Sequence, residues 1–384
     1  MAPESFVYDP TADDFQERIY DIYKVLRDEY PCYHNPELDF YALTRFGDVW
    51  NVMGDWKEWS SEGVAEGAAL LPQMIYLDPP RHDLLRSLVS RAFTPRRMTT
   101  LEPRVREVAR ALAAEMAARG SADMVEDLGS PLPNTIMGEL IGVPKDRIRE
   151  FCALTERLLG VTEHDDIGEL SGKIYGVFAD LLAERRKAPT DDLMSALLAA
   201  DVEGERLSED ELLGFCFLLL VAGNDTTTNL IGYGGEILAN HPDQRAELAG
   251  DASLLRDAVE EMLRFESPTQ VIPRTATKDV ELYGVRIPKG ARVQMQLGAA
   301  NRDDREFPEP DRFDIHRKPH RNLAFGVGLH FCLGAPLARL EGRIAFEELL
   351  ARIPEYEIGE PERIRSNWAR SLKRLPLAFE PSET

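Results

Sequence analysis

The chain has 384 residues, of which 43% are hydrophobic and 29% charged, as in a globular protein that buries a sizeable core. Its net charge of −22 argues against binding to nucleic acid or to an anionic membrane surface. The four cysteines are widely scattered and have no secretory context, which excludes a disulfide framework.

The first residues and the longest apolar run of the chain indicate the cellular location of the protein. Residues 1–5 have neither the basic nor the apolar region of a signal peptide. The longest apolar run, 215–222, is far shorter than the roughly 20 residues of a membrane span. We therefore expect a cytoplasmic protein without membrane insertion. Because no repeat or linker is visible, we expect one domain over 1–384 and a monomer.

The first predicted elements are a helix over 15–30, a hairpin over 31–43 and a short helix over 47–53. Residues 60–73 are rich in Gly, Ala and Leu without a clear period, which suits either an ordinary buried loop or a lid over an apolar pocket. A helix is then predicted from Asp78 to Phe93. On it His82 and Arg86 share a face, either as a solvated pair or as donors to an anion.

The middle of the chain is predicted to be helical over 101–119, 133–141, 146–159 and 166–186. The capping box that Ser208 and Glu211 form opens a long helix to about Asn240. This helix is apolar nearly all round, as in a helix buried in a large core. Poor helix formers occupy 222–227, which predicts either a local bulge that holds water or oxygen, or only a slightly polar patch.

A further helix over 253–265 carries Glu261 and Arg264, three residues apart; an exposed pair of this kind contributes only about 0–1 kcal/mol. Between 271 and 297 the pattern shifts to short strands, and strands return at 356–358 and 375–379. The chain is thus predicted to be mainly α, with β-rich parts near 31–44, 271–297 and 355–380.

The most informative stretch is the decapeptide 325–334, Phe-Gly-Val-Gly-Leu-His-Phe-Cys-Leu-Gly, which precedes a predicted helix. Gly326, Gly328 and Gly334 permit positive φ and close backbone approach. Near a helix N-terminus the Cys332 thiolate is stabilised by unpaired amides and by the helix dipole. The alternatives are a metal-binding thiolate and a buried structural cysteine. A zinc site is excluded because His330 and Cys332 offer at most two ligands.

This stretch resembles the haem-binding loop of the cytochrome P-450 family, and the similarity to soluble bacterial members extends over essentially the whole chain. The resemblance implies the P-450 fold, a large helical region and a smaller β-rich region with haem b between two central helices. It implies that Cys332 is the iron ligand and that Asp225 and Thr226 deliver protons during oxygen activation. Asn322 departs from the pattern, since many bacterial relatives have His there.

The resemblance also implies roles for other residues. Groups expected to contact the haem or its propionates are His82, Arg86, Ala222, Arg274, Phe325, His330 and Gly334. A buried structural network is expected from Glu261, Arg264 and Arg312. Expected residues of the substrate pocket are Leu70, Leu71, Leu219, Gln270, Val271 and Leu372.

The implied function is a monooxygenase that inserts one atom of O2 into a hydrophobic small molecule, with hydroxylation as the expected outcome. Electrons would come from NAD(P)H through a ferredoxin reductase and a ferredoxin, which would dock on a basic face formed by Arg91, Arg96, Arg97, Arg339 and Arg343. The alternatives are a peroxide-driven peroxygenase and a haem-binding sensor or carrier without turnover. The Asp225–Thr226 pair favours oxygen activation. The substrate class stays open among terpenoids, steroids, fatty acids, aromatics and polyketides.

Overall fold

The computed structural model describes residues 6–64, 71–90, 93, 95–148, 150, 153–154, 167–201, 204–318 and 321–381. In these ranges helices predominate, as predicted. They are α1 (Phe15–Glu29), α2 (Phe46–Gly54), α3 (Arg81–Ser90), α4 (Pro95–Ala117), α5 (Pro131–Ile141), α6 (Ile167–Lys187), α7 (Leu193–Ala199), α8 (Glu209–Asn240), α9 (Pro242–Gly250), α10 (Leu255–Phe265), α11 (Leu297–Ala300) and α12 (Ala335–Leu350).

The strands are short and form small sheets. They are β1 (Cys32–Asn35), β2 (Phe40–Leu43), β3 (Trp59–Ser60), β4 (Ser121–Asp123), β5 (Val271–Ala276), β6 (Val280–Leu282), β7 (Val285–Ile287), β8 (Arg292–Gln296), β9 (Glu357–Ile358), β10 (Glu362–Ile364), β11 (Ser371–Arg374) and β12 (Pro376–Ala378). The largest sheet has the order β1-β2-β8-β5-β3, in which only β2 and β8 run parallel. The β-rich parts expected near 31–44, 271–297 and 355–380 are confirmed.

Most predicted boundaries lie within a few residues of the observed ones. The helix expected to start at 101 begins instead at Pro95, and Pro103 lies inside it. Strands β10 and β11 were missed, and β4, which pairs with β12, was missed as well. These strands are only three or four residues long, too short for a period of two to stand out. Most of the helix expected over 146–159 lies outside the described residues.

The long helix α8 organises the core. Its capping box is confirmed, since Ser208 accepts from the Glu211 amide at 3.2 Å and Glu211 accepts from the Ser208 amide at 2.9 Å. The largest hydrophobic cluster packs around α8 with residues of α4, α5, α10 and α12. Within the part of the chain that the structure describes, no helix is long and apolar enough to cross a membrane.

The bulge expected over 222–227 is not present, because α8 is helical without interruption through this stretch. The Thr226 hydroxyl donates to the Ala222 carbonyl at 2.9 Å, four residues earlier. This bond adds to the backbone ladder instead of replacing it, so the threonine is accommodated without a break. The polar patch was therefore the correct alternative for the backbone.

The buried network at the end of α10 corrects one assignment. Glu261 and Arg264 are both fully buried, and the guanidinium contacts the carboxylate at 2.7 Å. The second arginine on this carboxylate is Arg317, at 3.0 Å, and not Arg312. The Arg312 side chain is 63% exposed and pairs with Glu309, and only its backbone carbonyl accepts from the network. The loop turns back after 312, which brings Arg317 to the buried carboxylate.

Candidate active site

The loop that carries Cys332 is held against the start of α12. The Cys332 amide donates to the Phe325 carbonyl at 2.9 Å, which closes the loop on itself. Burial raises the pKa of the Cys332 thiol, whereas hydrogen bonds from the Gly334 and Ala335 amides and the charges of Arg86 and Arg339 oppose that rise. The sulfur therefore lies at the helix N-terminus, where these amides and charges offset part of the cost of burying its thiolate form.

The loop glycines have different reasons to be glycine. Gly326 and Gly328 have φ of 68° and 76°, as expected. A Cβ at Gly328 would also lie 3.0 Å from the Met53 carbonyl oxygen. Gly334 has an ordinary φ of −81°, so the expectation of special backbone freedom there is wrong. A Cβ at Gly334 would lie 4.0 Å from the Cys332 sulfur, an ordinary van der Waals separation, so neither backbone conformation nor space requires glycine at this position.

Four basic side chains expected to bind propionates come together beside the loop. The His82 and His330 rings lie 4.3 Å apart, and Arg86 donates to the Phe331 carbonyl at 2.6 Å. Burial, together with the positive charges of Arg274, His82 and Arg86, lowers the pKa of His330 to about 3. Burial also lowers the pKa of Arg274 to about 10. The structure thus brings two guanidinium groups and two imidazole rings together in a small, mostly buried volume.

This cluster fits an anionic ligand. Arg274 is 5% exposed, and its guanidinium donates to the Pro273 carbonyl at 2.9 Å without a carboxylate at ion-pair distance among the described residues. Two ring nitrogens, His82 Nε2 and His330 Nδ1, are buried and lack a hydrogen-bond partner among those residues. Buried ring nitrogens without a partner are costly unless a ligand satisfies them. The two carboxylates of a haem, beside a thiolate for its iron, would do so.

The middle of α8 presents a solvent-accessible stripe. Ala222 is exposed and Thr226 half-buried, although their neighbours Leu219 and Asp225 are buried. Thr226 lies one helical turn after Ala222, so both side chains are on the same face. Burial raises the pKa of Asp225 to about 6, while hydrogen bonds from Asn229 and Ser371 act in the opposite direction. A carboxyl group with this pKa exists in both protonation states near neutral pH.

The residues expected in a substrate pocket are not all on that stripe. Leu70 lies outside the described residues, and Leu219 is 8% exposed beside Ala222. The Leu71 amide donates to the Tyr175 hydroxyl at 3.2 Å, which ties the segment after the loop to α6. Val271 is buried at the start of β5.

Two of the expected pocket residues are engaged elsewhere in the fold. The buried Gln270 amide donates to the Ser267 carbonyl at 2.6 Å and lies over Gly298. The Leu372 side chain packs against Gly232 in the core.

A surface cavity of about 330 Å³ lies beside the cysteine loop. Its lining includes Asn322, Phe325, Arg339 and Glu260. Arg339 lies over the Phe325 ring at 4.4 Å and pairs with Glu260. Asn322 donates to Glu260 at 3.3 Å, so the departure from the family pattern serves this ion pair.

Arg343 pairs with Glu102 at 3.0 Å and with Glu347. Arg339 and Arg343, two of the five arginines of the expected basic face, are therefore partly neutralised by these carboxylates.

Sequence reasoning missed three residues that bear on the site. Asn229 donates to Asp225, Ser371 accepts a hydrogen bond from Asn229, and Glu341 is a buried carboxyl group on α12. Asn229 lies four residues after Asp225, so helical spacing was a usable signal for it. Glu341 lies four residues after the buried Leu337, which places it on an apolar face. Ser371 had no local signal, since it bonds Asn229 across 142 positions of the chain.

Comparison with known proteins agrees with this geometry. The family described as Cytochrome P-450 matches residues 157–354. A vitamin D(3) 25-hydroxylase of Pseudonocardia autotrophica is 41% identical over 390 aligned residues, covering 97% of each chain.

Solved structures show the same similarity over nearly the full length. A cytochrome P-450 of Chondromyces apiculatus has a TM-score of 0.91 at 37% identity and covers 98% of this chain and 99% of its own. A Bacillus megaterium cytochrome P-450 in complex with corticosterone has a TM-score of 0.87 at 32% identity and covers 96% of this chain and all of its own. The expected fold, with its large helical region and smaller sheets, is thus confirmed.

Proposed function

The chain belongs to the cytochrome P-450 family of haem-thiolate monooxygenases, and on that premise we propose how its own residues carry out the reaction. The proposal is that one domain over 1–384 hydroxylates a hydrophobic small molecule, with Cys332 as the iron ligand. The observation that carries it is the position of the Cys332 sulfur, at a helix N-terminus beside four converging basic side chains. When bound, a thiolate-ligated haem supplies the activation of O2.

The basic cluster would bind and orient the haem through its propionates. Arg274 and His330 are positioned by β5 and by the cysteine loop, and His82 and Arg86 by α3. These side chains come from separate elements that are packed together, so the fold itself holds them close to one another. Phe325 and Gly334 would lie against the haem on the side of the sulfur, and Ala222 on the side of α8.

Proton delivery would be the task of α8. The Thr226 hydroxyl lies on the accessible stripe and donates its proton to the Ala222 carbonyl, so its oxygen can accept a hydrogen bond from a water molecule. The Asp225 carboxyl is buried with a pKa of about 6, so it can take up a proton and release it near neutral pH. The apolar residues around the stripe would exclude bulk water from the reaction.

The sulfur ligand is tested by replacing Cys332 with alanine. We expect the reduced, carbon monoxide-treated protein to lose the red-shifted Soret band that thiolate ligation produces. Replacing Cys32, a buried thiol on β1, with alanine is the matched control and should leave the band unchanged. If the Cys332→Ala protein keeps the band, the assignment of the iron ligand is wrong.

The proton-delivery role is tested at Thr226. We expect Thr226→Ala to lower the product formed per NAD(P)H by about ten-fold, with hydrogen peroxide released instead, because a positioned hydroxyl is lost. Thr226→Ser keeps the hydroxyl and should restore most of the coupling. Equal product yields from Thr226→Ala and the native protein would favour a peroxide-driven peroxygenase. If neither protein forms product with NAD(P)H, the yield with hydrogen peroxide alone decides: product indicates a peroxygenase, and no product indicates a sensor.

For the substrate we propose a hydrophobic molecule of steroid or secosteroid size. The support is the similarity to the vitamin D(3) 25-hydroxylase of Pseudonocardia autotrophica and to the Bacillus megaterium protein in complex with corticosterone. The accessible stripe around Ala222 is apolar, which suits such a ligand. A titration of the haem protein with vitamin D3, corticosterone, palmitate and a macrolide, followed by the Soret shift, ranks these classes. A shift with palmitate or the macrolide alone would contradict the proposal.

We further propose that electrons reach the site from NAD(P)H through a ferredoxin reductase and a ferredoxin. The support is membership of the cytochrome P-450 family, whose soluble bacterial type the chain resembles, and the absence of a flavin or iron–sulfur motif from the given sequence. The protein is proposed to act as a monomer in the cytoplasm. A reconstituted assay that compares ferredoxins with NADH and NADPH as donors tests the electron route.

A further inference from the structure

The imidazole ring of His330 has a serine hydroxyl on one side and an open position on the other. Ser61, which follows β3, is 1% exposed, and its Oγ atom lies 3.0 Å from His330 Nε2. The other ring nitrogen, Nδ1, is buried and lacks a hydrogen-bond partner among the described residues. The nitrogen that remains for a ligand is therefore Nδ1, and its use depends on whether it carries a proton.

The position of Ser61 is fixed by the segment before α3. The Ser61 amide donates to Asp78 Oδ1 at 3.1 Å, and the Ser60 hydroxyl donates to Oδ2 of the same carboxylate at 2.5 Å. The Asp78 carbonyl accepts from the His82 amide at 3.1 Å, at the start of α3. Strand β3 also pairs with β5, which carries Arg274. Ser61 thus lies where the elements that carry the basic cluster meet.

The hydrogen bond with Ser61 decides which nitrogen of His330 is protonated. Burial and the charge of Arg274 lower the pKa of His330 to about 3, so near neutral pH the ring has a single N–H. Among the described residues, His330 Nε2 is the only side-chain partner of the Ser61 hydroxyl. If Nε2 kept the ring proton, the hydroxyl proton would be buried without an acceptor, which costs free energy. Ser61 therefore donates to Nε2, and the ring proton lies on Nδ1.

The neighbouring histidine is held in a different way. His82 Nδ1 lies 3.0 Å from Asp83 Oδ1, and because a carboxylate only accepts, Nδ1 carries the His82 proton. The Nε2 atom of a neutral His82 ring then has a lone pair, although it is buried and without a partner among the described residues, as is His330 Nδ1. The two rings are 4.3 Å apart. In their neutral forms, only His330 offers an N–H to an anion.

We propose that Ser61 is a positioning residue for the haem, which holds His330 in the tautomer whose Nδ1–H donates to a haem carboxylate. The inference rests on the proposed function, in which the basic cluster binds the propionates. An N–H that faces a carboxylate forms a charge-assisted hydrogen bond, whereas the other tautomer would place a nitrogen lone pair against the anion. The partner of one ring nitrogen thus sets the state of the other.

The tautomer is measured by NMR of the haem protein labelled with 15N-histidine, in its reduced, carbon monoxide-bound form, which is diamagnetic. We expect a protonated Nδ1 and an unprotonated Nε2 in the native His330 ring, with His330→Phe to assign the resonances. Ser61→Ala should shift the Nε2 resonance, because its hydrogen-bond donor is lost. Ser61→Thr keeps the hydroxyl and should return it towards the native position.

A second measurement is the rate at which the ferric protein loses its haem to an excess of apomyoglobin. We expect Ser61→Ala to increase this rate about five-fold, the effect of one hydrogen bond, and Ser61→Thr to reverse most of the increase. Ser87→Ala removes an exposed hydroxyl of α3 that donates to the Leu84 carbonyl. It is the matched control and should change neither the His330 resonances nor the rate.

Each contrary result identifies the step that fails. A proton on Nε2 of the native His330 ring, or on both nitrogens, overturns the tautomer, and an unchanged Nε2 resonance in Ser61→Ala overturns the hydrogen bond. A shifted resonance with an unchanged rate of haem loss overturns the part of Ser61 in holding the haem. If His330→Phe itself loses haem at the native rate, the proposed function of His330 fails. That result is separate, because it is read without any change at Ser61.

Discussion

Glu341 shows how strongly one buried side chain can respond to its surroundings. It lies on α12, is 2% exposed, and its Oε1 atom lacks a hydrogen-bond partner among the described residues. Burial raises the pKa of this carboxyl group to about 8. The group is therefore largely protonated at neutral pH, which avoids the cost of an unpaired buried charge.

This shift predicts a pH dependence of stability. The pKa of Glu341 is higher in the folded state than in the unfolded state, where it has its ordinary value of 4.5. The unfolded chain therefore loses the proton first, and the native protein should lose stability as pH rises from about 5 to about 8. Glu341→Gln removes this contribution, so it should gain on the order of a few kcal/mol relative to the native protein over that interval.

Urea unfolding of both proteins at pH 5 and pH 8 measures this difference. The change of the unfolding free energy with pH should be smaller in Glu341→Gln than in the native protein. Glu281→Gln, on an exposed position of β6, is the control and should follow the native protein. Parallel curves for Glu341→Gln and the native protein would show that the buried carboxyl group does not titrate in this range.

Between elements, the clearest link is the buried ion network that joins α10 to the loop before the cysteine. Arg264 donates to the Asn301 and Pro310 carbonyls, each at 2.9 Å, and Arg317 donates to the Pro308 carbonyl at 2.7 Å. Glu261 accepts from both guanidinium groups. The network thus fixes the course of the loop by satisfying its backbone carbonyls, a structural role without chemistry.

We expect the two arginines of this loop to differ sharply when replaced. Arg317→Gln should lower the free energy of unfolding by about 1.5–3 kcal/mol, since hydrogen bonds to a buried carboxylate are lost. Arg312→Gln, on an exposed side chain, should change it by less than about 0.5 kcal/mol. Denaturant midpoints of the two variants, measured with the same haem loading, test this prediction. Equal losses of unfolding free energy would show that the Arg312 side chain belongs to the network.

For the whole molecule, the net charge of −22 sets a condition on partner binding. An acidic ferredoxin is repelled by most of such a surface, so association requires a local positive patch. Arg339 and Arg343 are already paired with Glu260 and Glu102. The proposed docking face therefore depends mainly on Arg91, Arg96 and Arg97, whose side chains lie outside the described residues.

We predict that replacing both Arg96 and Arg97 with glutamate raises the KM for ferredoxin several-fold at low salt. The difference should narrow at about 0.15 M salt, because exposed charges are screened. Replacing the exposed Arg18 and Arg286 with glutamate changes the net charge equally and serves as the control. Substrate-induced Soret shifts should be the same in both double variants. Equal KM values in the two would place the docking face elsewhere.

Much of this protein was predictable because its signals are local. The capping box at Ser208, the apolar length of α8 and the glycine-spaced loop around Cys332 are short patterns whose physical meaning does not depend on distant residues. They were enough to predict most of the helices, though not the short α7, α9 and α11, and also the β-rich parts and the cysteine near a helix N-terminus. The sequence did not decide between a bulge and a continuous α8 at Thr226, because propensity is a weak guide inside a packed core.

Other features depended on which residues meet across the fold. The sequence pattern favoured Arg312, but the path of the loop brings Arg317 to Glu261. Likewise Ser371 meets Asn229, the partner of Asp225, only because β11 packs beside α8. The sequence by itself determined the elements and the cysteine loop, since these follow from neighbouring residues. Only the tertiary structure decided the partners of the buried charges, since those depend on contacts between distant segments.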